Sequence, residues 1–269
     1  MIDRSEPLDS LATTLAGVVR YRTLLGKLVL KDLKLKYRGS VLGFLWSLVN
    51  PLVMIAVYYF AFRFIMKNHT PGFVFLVLLG ILAWTFFSTA VMMSTGSIAD
   101  NGPLLKSVFF PRAILPIATV FFNLAQYLLM AVVFLPLMLI AFRIAPTATM
   151  LAYPFFLALQ VILTVGLALM LATGTTFFRD IRHLLEVALA VLFWTTPILY
   201  EFRDVPQRFR PIVLASPLSS YVIAYKDVFF YRQWPEPAVW IVAIAYAIIA
   251  FAIGAALLLK FEDRFAERI

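Results

Sequence analysis

The sequence has no cysteine and only two histidines among its 269 residues. Disulfides, zinc–thiolate sites and cysteine nucleophiles are therefore excluded, and two isolated imidazoles, His69 and His183, make a poor metal site. Charged residues are also scarce, at 14% against about 25% in soluble domains. Because so few reactive side chains are present, we predict no catalytic residue and no metal site in this chain.

Hydrophobic residues make up 63% of the chain, and its mean hydropathy is +0.93. A soluble chain of this composition could not cover its own core with polar surface, so we predict an integral membrane protein. The formal charge of +9 then acts first as a topology signal, and no nucleic-acid partner is predicted. The N-terminus lacks a long apolar run, which is unlike a cleaved signal peptide.

An all-α fold with six transmembrane helices is predicted, because a bilayer core takes roughly 20 apolar residues per helix. The apolar runs of suitable length are Val41–Phe62, Phe73–Ser94, Ala113–Phe142, Leu151–Phe178, Val187–Tyr200 and Ala238–Leu259. The fifth run is short and ends at Pro197. It indicates either a helix that stops inside the membrane and lines a cavity, or an ordinary helix with little tilt.

Basic residues set the predicted orientation. With the N-terminus in the cytoplasm, the inner segments hold fifteen Lys and Arg residues and the outer segments hold eight. The positive-inside rule therefore predicts that both termini are cytoplasmic. The predicted organisation is an N-terminal tail at 1–20, an interface helix at 21–40, a transmembrane domain at 41–260 and a C-terminal tail at 261–269.

The segment Pro211–Tyr231 is apolar enough to suggest a seventh span, but it contains Lys226 and Asp227. A charge near the centre of a membrane helix costs about 2.5–3.5 kcal/mol on insertion scales. We therefore predict re-entrant or interfacial helices on the outer face between the fifth and sixth spans, at about 205–235.

Residues Tyr21–Tyr37 are predicted to form an amphipathic helix with a basic stripe. The stripe has spacings of four, three and four residues and consists of Lys27, Lys31, Lys34 and Arg38. At 100° per residue these side chains share one face, opposite a row of leucines. Such a helix is expected to lie in the cytoplasmic interface, with its stripe near anionic headgroups of membrane lipids. It would serve either as a topology anchor alone or as a brace for a cytoplasmic partner.

The predicted spans contain no Asp, Glu, Lys, Arg or His, and the chain has no G-x-x-x-x-G-K-[ST] motif. Ion-coupled transport usually needs intramembrane carboxylates, and a P-loop ATPase needs that motif. A transporter of this kind would take its energy from another subunit through two cytoplasmic loops, 100–112 and 178–186. The candidate coupling residues are Pro103, Leu104, Leu105, Lys106, Val108, Phe109, Arg179, Asp180 and Arg182.

Both loops also have simpler interpretations. The apolar side chains of the first loop would either fit a groove on a partner protein or dip into lipid. The charges of the second loop would either contact the same partner or pair with one another at the membrane edge. The sequence leaves these alternatives open.

Four segments in order resemble the membrane subunits of ATP-binding-cassette polysaccharide exporters, which serve O-antigen, teichoic acid and capsular polymers. They are Lys31–Pro51, Lys106–Arg112, Phe178–Arg182 and Phe193–Tyr200. The resemblance extends from about Leu28 to the sixth span, so it covers most of the chain. It does not distinguish among the polymer classes.

The resemblance implies a homodimer in the bacterial cytoplasmic membrane, with two nucleotide-binding subunits that carry the ATP and magnesium; no cofactor is expected in this chain. It also implies that the interface helix and the first loop dock on the ATPase, that the first and fifth spans line the channel, and that the outer helices gate the exit. The substrate would be a lipid-linked polysaccharide. The alternatives are an exporter of drugs or small lipids with the same fold, and a membrane glycosyl- or phosphotransferase acting on a lipid carrier.

Aromatic residues of the first and fifth spans are candidates for the channel lining, because sugars have apolar faces that stack on rings. They are Tyr58, Tyr59, Phe62, Phe193, Trp194 and Tyr200. The alternative is an ordinary aromatic belt at the membrane interface.

Overall fold

The structure, a computed structural model, describes residues 20–40, 43, 45–65, 67, 72–103, 110–262 and 264. Every regular element within these ranges is a helix, so the predicted all-α class is confirmed for the described part of the chain. The longer helices are α1 (Arg22–Tyr37), α2 (Leu45–Phe60), α3 (Phe73–Thr95), α4 (Ile114–Ala141), α5 (Ala152–Phe177), α6 (Ile181–Thr195), α7 (Arg210–Leu214), α8 (Ser219–Lys226) and α9 (Pro237–Phe261).

Short helical turns join or extend these helices. One π-helical turn continues α2 and another continues α8, and the remaining turns are 3-10 helices. They are Ala61–Ile65, Ala99–Asn101, Ala148–Leu151, Phe202–Asp204, Gln207–Phe209 and Asp227–Tyr231.

Four helical segments in the described ranges are long and apolar enough to cross a membrane: Phe73–Thr95, Ile114–Ala141, Ala148–Phe177 and Pro237–Phe261. They correspond to the predicted second, third, fourth and sixth spans. The segments Gln207–Leu214 and Ser219–Tyr231 also pass this test when taken together, but they are bent by 112°. We call these two segments the bent pair. A bend of this size is compatible with a broken span or with a re-entrant loop. The re-entrant or interfacial arrangement of this region and the total of six spans therefore stay predictions.

The predicted fifth span has different bounds in the structure. Its helix, α6, begins at Ile181 rather than Val187 and ends at Thr195 rather than Tyr200. Pro197 lacks a backbone N–H and disfavours the helical conformation in the residue before it; accordingly, Thr196 has an extended ψ of 135°. The polar residues at the start of the helix carry no burial cost because they are exposed.

The predicted first span, Val41–Phe62, is represented by α2, whose sixteen residues extend about 24 Å at 1.5 Å per residue. This is shorter than the roughly 30 Å hydrocarbon core of a bilayer. The π-helical turn Ala61–Ile65 lengthens it. Ile55 is its one buried side chain among those described, so α2 lies at the edge of the bundle.

The core of the bundle is built around α3, which packs against α2, α4, α5, α6 and α8. Most of its side chains are buried. On one side of it, α5 and α9 form the most extensive helix pair. They approach closely because Gly166 of α5 lies against the backbone of Ala250 and Phe251, and Gly254 of α9 lies against the backbone of Gly166. Small residues at such crossings let membrane helices gain packing contacts.

A polar side chain links three helices inside this apolar core. Gln160 of α5 is fully buried and donates a hydrogen bond to the carbonyl of Ala83 in α3, at 3.0 Å. Its own side-chain oxygen accepts a bond of 2.6 Å from the hydroxyl of Tyr225 in α8. Since an unpaired amide would be costly in an apolar interior, these bonds fix how α8 packs against the spanning helices.

Candidate functional site

Two polar loops meet at one end of the bundle, which we call the inner end. Asp100 lies between α3 and α4, Arg182 lies in the first turn of α6, and their side chains form an ion pair of 3.2 Å. Gly96 permits this contact, because a Cβ at that position would collide with both the carboxylate and the guanidinium. The structure therefore brings together the two predicted coupling loops, 100–112 and 178–186, through this ion pair.

The Asp100 side chain is 67% exposed and that of Arg182 is 45% exposed. An exposed ion pair of this kind contributes at most about 1 kcal/mol. The two groups are therefore available to a partner. Pro103, Arg179 and Asp180 are exposed at the same end, whereas Leu104, Leu105, Lys106, Val108 and Phe109 lie outside the described residues.

Helix α1 packs on α4 beginning at the inner end. Tyr21, Leu24, Leu25 and Leu28 cover a small apolar cluster at the start of α4, formed by Phe110, Ile114 and Leu115. Leu25, Val29 and Leu33 are partly buried, while the stripe of Lys27, Lys31, Lys34 and Arg38 is exposed. A helix is thus observed at the predicted place, with its basic stripe exposed. Its position in the membrane interface and the contact of the stripe with lipid stay predictions.

Farther along α1, Lys36 hydrogen-bonds to the side chain of Gln126, in the middle of α4. Its ammonium also lies 5.8 Å from the ring centre of Phe122. Partial burial at this position lowers the pKa of the Lys36 ammonium. Helix α1 therefore runs alongside α4 for about 18 Å, the rise of the twelve residues from Ile114 to Gln126.

The end of α9 also lies at the inner end. The backbone N–H of Arg112 donates to a carboxylate oxygen of Glu262 at 3.3 Å, and the Arg112 guanidinium bonds to the Glu262 carbonyl. The start of α1, the flanks of the first loop and the end of α9 consequently share one end of the molecule. The cytoplasmic position of both termini stays a prediction.

On α6 and α2, apolar helix faces are not covered by the other described residues. On α6 the exposed residues follow spacings of three, four and three, and they are more than half exposed. They are Leu184, Val187, Val191 and Trp194. A similar face on α2 and the π-helical turn that continues it includes Trp46, Val53, Val57, Phe60 and Phe64. Faces of this kind suit lipid or another protein chain.

The aromatic candidates on α2 and its π-helical turn differ in exposure. The Tyr59 side chain is 42% exposed, whereas Tyr58 is partly buried against the core. Phe62 packs on Phe73 at the start of α3, with ring centres 4.8 Å apart. Within this set, Tyr59 is the most accessible ring.

The candidates near α6 contact a different part of α3. Phe193 packs edge-on against Trp84, with ring centres 5.4 Å apart, and Trp194 is 70% exposed. The hydroxyl of Tyr200 donates to the carbonyl of Thr195 at 2.7 Å. Because Phe73 and Trp84 are eleven residues apart, the two aromatic sets contact α3 at points separated by about 16 Å along its axis.

The opposite end of the bundle, the outer end, contains a polar pocket of about 330 Å³. Asp227 accepts hydrogen bonds from Arg203 at 3.3 Å and Gln233 at 2.7 Å. The Arg203 guanidinium lies 3.8 Å from the ring centre of Tyr231. The hydroxyl of Tyr231 in turn donates a hydrogen bond to the carboxylate of Glu201. No set of described His, Cys, Asp or Glu residues is arranged to hold a metal ion.

Lys226 also lines this pocket. Its contacts with other parts of the chain were not predicted from the sequence. Its charge indicated only that Pro211–Tyr231 is unsuited to a simple span. In the structure it is 4% exposed and bonds to the segment that follows α6. The only signal in the sequence was a lysine within an otherwise apolar segment, and no local pattern identified its partners.

Comparison with known proteins places these features in context. The family described as ABC-2 type transporter matches residues 23–230. The O-antigen export system permease protein RfbA of Myxococcus xanthus is 32% identical over 255 residues, which cover 93% of this chain and 96% of the relative. The protein of the same name from Klebsiella pneumoniae is 29% identical over 88% of this chain and 91% of its own length. The polysialic acid transport protein KpsM of Escherichia coli is 24% identical over 72% of this chain and 76% of its own length.

Proposed function

This chain belongs to the ABC-2 type transporter family, and we propose that it is the permease subunit of an exporter that moves lipid-linked polysaccharide across the bacterial cytoplasmic membrane. The observation that carries this proposal is its similarity, along nearly the whole chain, to an O-antigen export permease. Four long apolar helical segments, together with the bent pair and the shorter apolar helix Leu52–Ile65, support a multi-pass membrane protein. ATP and magnesium would be bound by separate nucleotide-binding subunits.

The inner end supplies the surface on which those subunits would dock. Its two loops are linked by Asp100 and Arg182, and α1 packs beside the end of the first loop. The positive-inside distribution favours a cytoplasmic position for this end. Movement of an ATPase subunit against it would therefore act on α1, α3 and α6 together.

A second copy of the chain would cover the exposed faces of α2 and α6. Each face is apolar along several turns, and both helices contact the central helix α3 of their own chain. If the two copies meet around these helices, the transport path lies between them. Homodimers with closed two-fold symmetry are the commonest assemblies of identical chains.

The polymer would move along aromatic rings on this path. Ring faces attract the apolar faces of sugars without the many strong hydrogen bonds that would hold a polymer in place. One aromatic set lies on α2 and its π-helical turn, and the other on α6 and the segment that follows it. About 16 Å apart along α3, they would provide successive contact points. An O-antigen, a teichoic acid or a capsular polymer would each suit such a path.

The double variant Tyr58→Ala/Tyr59→Ala tests this function. We expect polymer at the cell surface to fall at least tenfold, because two ring contacts are lost, while the amount of ATPase subunit that copurifies is unchanged. Surface polymer is measured by flow cytometry in cells whose own copy of the chain is deleted. The matched variant Tyr58→Phe/Tyr59→Phe keeps both rings and should export nearly normally. Unchanged surface polymer in the alanine variant would contradict the role given to these rings.

A further inference from the structure

The outer end of α6 is attached to the bent pair through a buried lysine. Lys226, at the end of α8, is 4% exposed. Its ammonium donates hydrogen bonds to the carbonyls of Pro197, Ile198 and Tyr200 at 2.5, 3.1 and 3.0 Å. All three acceptors belong to the non-helical segment that follows α6.

The break in α6 explains why a lysine is needed at this position. Pro197 stops the helix, so the carbonyls beyond it lack donors from a following helical turn. Ile198 and Leu199 are buried in this segment, where an unpaired carbonyl is costly. An ammonium group has three N–H donors and no acceptor, which matches the three carbonyls in number. The carbonyls in turn compensate the cost of burying the charge.

A second contact joins the same two parts of the chain. The hydroxyls of Thr196 and Ser216 lie 2.7 Å apart, and both residues are buried. Ser216 lies between α7 and α8, whereas Lys226 lies at the end of α8. The segment after α6 is therefore held at two places on the bent pair. We call Thr196, Ser216 and Lys226, with the three carbonyls that Lys226 binds, the outer clamp.

The bent pair is itself bonded to the spanning helices. The hydroxyl of Tyr221 donates to the Ala243 carbonyl in α9 at 2.7 Å, and the hydroxyl of Tyr246 in α9 donates to the Ala215 carbonyl at 2.8 Å. Tyr225 bonds to Gln160 in α5. These contacts attach the bent pair to α5 and α9, the helices with the most extensive mutual packing.

The rest of α6 is attached much more weakly. Leu189 is its only buried residue, and its inner end is held by the exposed Asp100–Arg182 pair. The helix is thus fixed at its outer end and has few contacts along its length. Segments with few buried contacts are the ones that move most readily.

We propose that Lys226 is a positioning residue that keeps the outer end of α6 attached to the bent pair throughout the transport cycle. Movement delivered at the inner loops then pivots α6 about the outer clamp, and the path opens between two copies of the chain rather than between α6 and the bent pair. This inference rests on the proposed function, since it assigns a part in polysaccharide export.

A disulfide across the clamp tests whether its two sides ever separate. The chain has no cysteine, so the double variant Thr196→Cys/Ser216→Cys carries the only reactive pair. We expect copper phenanthroline to form the bond, detected by loss of maleimide–polyethylene glycol labelling after denaturation. Surface polymer made after oxidation should stay within twofold of that made by the same variant kept reduced.

Two outcomes of this experiment would overturn the proposal. One is a bond that stops export and is reversed by reductant, since the two sides would then have to part during transport. The other is failure of the bond to form. Each single-cysteine variant, treated in the same way, controls for general effects of the oxidant.

Substitution of Lys226 tests its role separately. Lys226→Met has similar length but no donor, so we expect export to fall at least tenfold while ATPase subunits still copurify and hydrolyse ATP. Lys226→Arg should restore a substantial part of export, because it again presents donors to the carbonyls. Normal export by the methionine variant would overturn the proposal. If the methionine variant does not reach the membrane, the proposal is tested by the disulfide experiment alone, because the double-cysteine variant retains Lys226.

The outcomes also separate this inference from the function on which it depends. If the unmodified chain with its ATPase subunit exports no polysaccharide, the proposed function fails. If it exports polysaccharide but the oxidised pair does not, only the clamp is wrong.

Discussion

Replacement of Gly254 by alanine is expected to destabilise the helix bundle strongly. A Cβ at this position would collide with the backbone carbonyl of Gly166, and backbone cannot rotate away as a flexible side chain can. Helices α5 and α9 would have to move apart along the most extensive packing surface in the described structure. Overpacking of this kind costs about 1–3 kcal/mol. The measurement is the thermal unfolding of the detergent-solubilised protein, with the amount of protein in the membrane as a second readout.

The same substitution at Gly26 provides the matched control. Nothing lies within 4 Å of a Cβ built at this position in α1, and alanine favours a helix over glycine by up to about 1 kcal/mol. Gly26→Ala should therefore leave the unfolding temperature unchanged or raise it slightly. Equal unfolding temperatures for Gly254→Ala and the unchanged protein would show that α5 and α9 do not cross as closely as described.

The double variant Leu104→Asp/Leu105→Asp is expected to abolish binding of the ATPase subunit. Both residues lie outside the described structure, between Pro103 and Phe110, and the sequence predicts that they present apolar side chains to a groove on the partner. Loss of two central apolar contacts costs about 4 kcal/mol, or about a thousandfold in affinity. Copurification with a tagged ATPase subunit measures this loss, and export should disappear with it.

The variant Leu104→Val/Leu105→Val keeps apolar side chains at both positions and should still bind the ATPase subunit. The two double variants should reach the membrane in similar amounts. If the aspartate variant assembles and couples normally, the first loop is not the docking element, and its leucines contact lipid instead.

The ends of the long spanning helices could be predicted closely, because each helix is a continuous apolar run and its sequence neighbours favour the end of a helix. The second predicted span began at Phe73 and ended at Ser94, and α3 covers Phe73–Thr95, between Gly72 and Gly96. The predicted third span, Ala113–Phe142, matches α4 to within one residue at each end. Length and hydropathy determine such elements locally, so tertiary context changes little.

The break in α6 shows where local patterns were insufficient. The helix ends at Thr195, shortly before Pro197. It begins at Ile181 rather than at the predicted Val187, because the polar residues Arg182, His183 and Glu186 are exposed and can belong to it without being buried. Exposure is decided by neighbouring helices, which the sequence does not arrange in space. The apolar run therefore overlaps the second half of this element and located neither of its ends.

The contacts that organise the outer end could not be predicted for the same reason. Lys226 binds carbonyls 26 to 29 residues earlier in the chain, and Gly166 meets a helix that begins at Pro237. Neither partnership follows a local periodicity. From the sequence, Lys226 was recognisable only as a charge that an apolar segment had to accommodate.

Reconstitution into vesicles tests most directly whether this chain depends on another protein for its energy. The purified chain is placed in proteoliposomes with a fluorescent lipid-linked glycan, with or without its ATPase subunit, and transport is followed after addition of ATP or of an ion gradient. We predict transport when the ATPase subunit and ATP are both present, and none with either alone. Glycan movement by the chain alone, driven by the ion gradient, would contradict the account.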